Sequence, residues 1–130
     1  MRSREDLESY FLRSHLAFEA VPGKDMWVVR DPSWGENIVI SLGGPLVLFR
    51  VKVLELSSVA QRDALFEQLL RFNASDMVHG AYGIADGAVV LTCALRLENL
   101  DYNEFQGTID DFSIALSKHY DTLAAFRTAA

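Results

Sequence analysis

Two hydrophobic periods alternate along this chain, and the switches between them divide it into segments. Leu7, Tyr10 and Phe11, with Leu16 beyond them, recur at the spacing of one helix face. They predict a first helix from about Arg4 to Ala17, with Ser3 and Asp6 resembling a capping box at its start. Pro22-Gly23 bars any continuation. The period then falls to two. Met26 to Arg30, Asn37 to Leu42 and Leu46 to Leu54 read as strands, separated by the turn clusters Asp31-Pro32-Ser33-Trp34-Gly35 and Gly43-Gly44-Pro45. In the last of these strands Val47, Phe49, Val51 and Val53 alternate with Leu48, Arg50 and Lys52, so one face is apolar and the other turns basic. Connections this short exclude parallel crossovers and predict an antiparallel meander.

The helical period returns after Ser57 and Ser58, either of which can cap a second helix running to about Phe72. Leu65, Leu69 and Phe72 form one stripe on it; Val59, Phe66 and Leu70 form a second, roughly 120° away. A helix packed on one sheet needs only one stripe. The second either meets another chain or belongs to a broad core-facing arc. Ala81 to Ala85 and Ala88 to Leu97 then flank Asp86-Gly87, a strong hairpin signal because both turn positions need positive φ. The third helix has the clearest start: Asp101 as N-cap, Glu104 three residues on, and Leu100 with Phe105 as a hydrophobic staple. Phe105, Ile109, Phe112, Leu116, Tyr120 and Leu123 give it a narrow apolar stripe. The expected architecture is α+β, one domain over residues 1–130, in the order α-β-β-β-α-β-β-α, with an antiparallel sheet packed against helices.

Composition narrows the function more than the fold. At 130 residues the chain suits one domain with a real core. Its net charge of −6 and pI near 4.9 disfavour general nucleic-acid binding, since an acidic surface repels phosphate. Cys93 is the only cysteine, so no intrachain disulfide can form, and its apolar run, Val89 to Leu95, reads as core. The N-terminus carries no signal-like apolar region, and no apolar run approaches twenty residues. Cytoplasmic residence without a membrane segment is the expectation.

Signatures of chemistry are absent from the pattern. His15, His79 and His119 lack metal-ligand spacing, and His15 and His119 suit helix C-terminal halves, where the dipole favours a cation. Leu42-Gly43-Gly44-Pro45 leads into a strand and lacks the Lys of a phosphate loop. Asp110 and Asp111 are adjacent on a helix, so their side chains diverge onto a solvated face. His79 beside Asp76 is either an acid–base pair or an ordinary turn histidine. No catalytic, cofactor-binding or metal-binding residues are expected.

The element order and the acidity resemble the class I type III secretion chaperones, with their Tir-chaperone-like fold. Within it the chain is most similar to the YbjN-type domain. The resemblance rests on Leu69-Leu70-Arg71-Phe72-Asn73, on Val78-His79-Gly80-Ala81-Tyr82-Gly83-Ile84, on Leu95 and Leu97 to Asp101, and on the following helix with Phe105 and His119-Tyr120. It implies a cytoplasmic homodimer that binds protein segments or acts in regulation.

Three functional readings follow. The first is a non-enzymatic, chaperone-like or regulatory homodimer that holds a client or effector segment. Val59, Phe66 and Leu70 are its dimer-contact candidates; Leu7, Tyr10 and Phe11 are its partner-binding candidates, with core packing as their alternative. The second is a small-ligand sensor with a pocket between sheet and helices near Trp27, Trp34 and His79. The third, ranked last, is an enzyme using His79.

Overall fold

The computed structural model describes residues 4–14, 16–30 and 37–127. Ser3, His15 and the turn cluster that holds Trp34 lie outside the described residues, and with them the expected Ser3 cap and the roles considered for His15 and Trp34. Helix α1 (Arg4–Ser14) is followed by strands β1 (Ala17–Ala20), β2 (Met26–Arg30), β3 (Asn37–Gly43) and β4 (Leu46–Glu55). Helix α2 (Arg62–Ser75), strands β5 (Ala81–Ala85) and β6 (Ala88–Arg96), and helix α3 (Tyr102–Ala124) complete the order. All strand pairs are antiparallel, in the sheet order β1-β2-β3-β4-β6-β5. The α+β class and the antiparallel sheet packed with helices are as the sequence predicts.

Two differences have local causes. The first helix ends at Ser14, short of the expected Ala17, and a strand the sequence pattern does not predict, β1, begins there. Ser14 Oγ donates to the carbonyl of Phe11 and accepts from the amide of Leu16, which turns the chain out of the helix. Phe18 then pairs with Val29 in register and stacks on Phe11 at 5.2 Å, so tertiary contact overrides helical period. Helix α2 starts at Arg62, later than either Ser57 or Ser58, because Leu56–Ser58 forms a 3-10 turn closed by Ser58 Oγ donating to Glu55 O. Val59 therefore lies outside α2 and shares no helical register with Phe66 and Leu70.

The turn and cap signals hold. Asp86 and Gly87 adopt φ of 53° and 75°, closing the β5–β6 hairpin with Ala85 opposite Ala88. Asp101 accepts the Glu104 amide at 2.8 Å, and Leu100 and Phe105 are both buried. One face of the sheet carries Trp27, Val29, Ile38, Ile40, Phe49 and Leu91, all sealed from solvent. Helices α1 and α3 cover that face. Phe105 joins the two layers, with its ring 5.1 Å from Phe11 and 6.0 Å from Phe49. Tyr10 adds a hydrogen bond of 2.8 Å from its hydroxyl to the Leu100 carbonyl. Among the described residues no helix lies on the opposite face of the sheet, where Arg50, Lys52, Thr92 and Ala94 are exposed.

Candidate functional site

Helix α2 runs alongside β5, an outer strand whose edge backbone would otherwise be unpaired. Asn73 caps that edge: its Oδ1 accepts the Tyr82 amide at 2.8 Å, and its Nδ2 donates to the Tyr82 carbonyl at 3.1 Å. The chain between helix and strand is then tied to α3 twice. His119, 1% exposed, presents Nε2 to Asp76 and Nδ1 to Tyr82, each at 2.8 Å. A carboxylate can only accept, so Nε2 carries the proton and donates to Asp76; in the neutral ring Nδ1 accepts the Tyr82 hydroxyl. Phe72 stacks flat on the imidazole, with centroids 3.6 Å apart and planes 8° apart. The second tie is His79, whose Nδ1 pairs with Asp111. Between the two ties Gly80 adopts φ of 84°, and a Cβ there would sit 2.6 Å from the Thr92 carbonyl oxygen. Only glycine fits this crossing.

This cluster is a clamp in which the acid–base groups of Asp76, Tyr82 and His119 meet partners within the chain. Asp76 is held below the usual carboxylate range, first by the hydrogen bond from His119 and next by that from Ser75. The Tyr82 phenol is pushed well above its usual value by burial and by the nearby Asp76 charge, so it stays neutral. Both imidazole nitrogens of His119 are occupied by protein partners. The Cys93 thiol is pushed up by burial and by the Asp111 charge, which outweigh a hydrogen bond from the Gly80 backbone. A protonated thiol is a poor nucleophile. No group of three His, Cys, Asp or Glu side chains among the described residues is placed to hold a metal ion.

The sequence missed most of this clamp. It read His119 as a dipole-compensating cation, whereas the ring is enclosed between Phe72, Tyr82 and Asp76. It placed Asp111 on a solvated face, whereas Asp111 turns to His79, and only Asp110, bonded to Gln106, stays exposed. Asp76 and His119 stand 43 positions apart, so no local spacing could pair them.

The predicted binding residues fall into different environments. Leu7, Tyr10 and Phe11 are buried together under α3, so their core-packing alternative is what the monomer displays. Val59 is covered as well, bridged by Arg127 beyond the end of α3. Phe66 is half-buried against the core, and Leu70 is 68% exposed. Ile84 of β5 is exposed too. Leu70 lies one helical turn before Asn73, and Ile84 lies two residues after Tyr82, the strand residue that Asn73 bonds. Trp27 is sealed in the core, beneath the Arg4 guanidinium, and His79 is engaged with Asp111. A cavity of about 160 Å3 lies elsewhere, between Leu54 and the later half of α3 at Leu116, Tyr120 and Leu123. It is smaller than the roughly 300–1,000 Å3 of ordinary ligand pockets.

No curated protein sequence matches the chain. Solved structures show the fold. A chain of the ExsC–ExsE complex superimposes with a TM-score of 0.68 at 16% identity, covering 98% of this chain and 95% of that one. A chain of the heterodimeric ExoU–SpcU complex from the type III secretion system of Pseudomonas aeruginosa gives 0.65 at 19% identity, over 86% and 93%. YbjN from E. coli gives 0.67 at 14% identity, over 93% of each chain. The chain thus shares its fold with chains of these two complexes and with YbjN, in line with the resemblance read from the sequence. The CesT_Tir_1 family profile matches residues 1–129, and the chain belongs to that family.

Proposed function

We propose that the whole chain acts as one non-enzymatic, cytoplasmic domain that binds a protein segment as a homodimer. The family match over residues 1–129 carries this reading. Two of the similar folds, ExsC–ExsE and ExoU–SpcU, come from complexes of two different proteins, which supports a protein partner for this chain. The clamp supports the non-enzymatic part, because its acid–base groups are satisfied by one another. Among the described residues no helix is long and apolar enough to cross a membrane.

The dimer contact we propose is the outer side of the α2–β5 pair. Leu70 supplies its exposed apolar surface and Phe66 its flank, with Ile84 of β5 exposed as well; Val59, the third candidate, contributes from a covered position. Exposed side chains of this type are costly to leave in water, about 1.5–3 kcal/mol for a full Leu or Ile. The clamp behind them fixes helix and strand as one surface. Affinity purification from the native cells, followed by limited proteolysis and mass spectrometry, tests the binding reading. The expected result is one dominant protein protected over a short segment. Recovery of the chain without any partner, or with a partner that gains no protected segment, contradicts it.

A further inference from the structure

The cavity beside the end of β4 is built around a break in the sheet. The register between β4 and β6 shifts between Lys52 and Leu54, and Val53, the extra residue, has no partner on β6. The cavity of about 160 Å3 opens next to this bulge. Its floor is apolar, with Leu54, Leu116 and Leu123 all buried. Its rim is polar, with Tyr120, 59% exposed, and the exposed Arg127. The backbone holds Arg127 in place. After α3 ends, the amides of Phe126 and Arg127 donate back to the carbonyls of Leu123 and Ala124, each at 3.1 Å, and Arg127 bridges to Val59. Its guanidinium donates to the carbonyl of Val53, the unpaired residue of the bulge, at a long 3.5 Å. Among the described residues Arg127 has no carboxylate partner, and the Tyr120 hydroxyl has no hydrogen-bond partner. No carboxylate lines the cavity: Glu55, next to Leu54, pairs with Lys52, and Asp121, next to Tyr120, is not among the lining residues.

We infer that this cavity binds a small monocarboxylic acid with a compact apolar body, such as a single aromatic ring, a function separate from the binding of a protein segment. Size sets the body. An apolar cavity of roughly 150 Å3 takes benzene, so one ring fills this one and a drug-sized molecule does not enter it. The floor of Leu54, Leu116 and Leu123 offers water no partner, so an apolar occupant gains by displacing it. The rim sets the head group. A ring lying on the three leucines brings its carboxylate to the mouth, where the Arg127 guanidinium gives two parallel N–H donors and the Tyr120 hydroxyl a third. An amine would meet the guanidinium with no lining acid to offset it. The end of a polypeptide fits less well than a free acid, because its chain must leave through the mouth that the carboxylate fills.

The test titrates the full-length protein, labelled on its Leu and Val methyl groups, with phenylacetate, phenylacetamide and phenethylamine, and follows the methyl resonances. Phenylacetate should shift the methyls of Val53, Leu54, Leu116 and Leu123 and reach half-saturation at about 1 mM, ordinary for a ligand of this size. The amide should bind at least about tenfold more weakly, and the amine should leave these methyls unmoved. Arg127→Gln, a change to an exposed side chain, should bring phenylacetate down to the level of the amide. Ala124→Phe, which fills the cavity from its wall, should abolish binding of both while the methyls outside the cavity keep their positions. Equal binding of acid and amine, shifts spread over methyls away from the cavity, full affinity in Arg127→Gln, or no shift at about 20 mM phenylacetate overturns the assignment. A peptide ending in a phenylalanine carboxylate that binds more tightly than phenylacetate overturns it as well and gives the cavity to a polypeptide end.

Discussion

Replacing Tyr82 with Phe isolates one hydrogen bond of the clamp. The substitution keeps the ring, so the contact with Phe72, at 6.1 Å between centroids, and the burial of the side chain persist. What goes is the hydroxyl that donates to His119 Nδ1 at 2.8 Å. His119 is 1% exposed and held by Phe72 and Asp76, so neither water nor a swing of the ring replaces the lost donor. The cost is that of a buried acceptor left unsatisfied, about 1–3 kcal/mol. In a chain of this length that lowers Tm by roughly 3–5 °C per kcal/mol. Urea unfolding monitored by far-ultraviolet circular dichroism measures it. The same change in a His119→Phe background supplies the control. There the hydroxyl has already lost its acceptor, so Tyr82→Phe should be neutral to within about 0.5 kcal/mol, or stabilising. Equal losses in both backgrounds would refute the hydrogen-bond origin and point to packing instead.

The other predictions concern the surrounding elements. Gly80→Ala should cost at least about 1–3 kcal/mol, because a β-carbon meets the Thr92 carbonyl at a positive φ; a melt unchanged from wild type would contradict the crossing geometry. Asp101→Ala should cost about 1 kcal/mol through the lost cap on Glu104 N, measured by the same unfolding curves. Asp76 has a depressed folded-state pKa, so its contribution is complete above the ordinary carboxylate value and is lost as pH falls through the lower folded value. Acid titration of Tm should therefore fall more steeply in the wild type than in Asp76→Asn; identical acid limbs would count against the His119 contact.

Much of the fold is legible in the sequence because its signals are local. Asp86-Gly87 requires two positive φ values, and Asp101 with Leu100 and Phe105 marks a helix start within five residues. Where the signal depends on distant partners, reading along the chain fails. The Ala17–Ala20 strand is too short to show a period and exists because Phe18 reaches Phe11 and Val29. Phe66 and Leu70 look equivalent to Val59 on an ideal helix, but the 3-10 turn at Leu56–Ser58 breaks that register. The clamp is least legible of all. Its members come from α2, the following connection, β5 and α3, and only the packed sheet brings Asp76 and Tyr82 to His119.

In the proposed dimer the clamp holds the α2–β5 surface in place as the contact between two chains that together present a surface to a protein segment. Light scattering coupled to size-exclusion chromatography tests its assembly directly. The wild type should have twice the 14.5 kDa mass of the chain, and a Phe66→Glu, Leu70→Glu variant with an unchanged circular dichroism spectrum should fall to a single chain mass. A wild type that runs as a monomer at micromolar concentration, or a variant that remains dimeric, would contradict the proposed dimer.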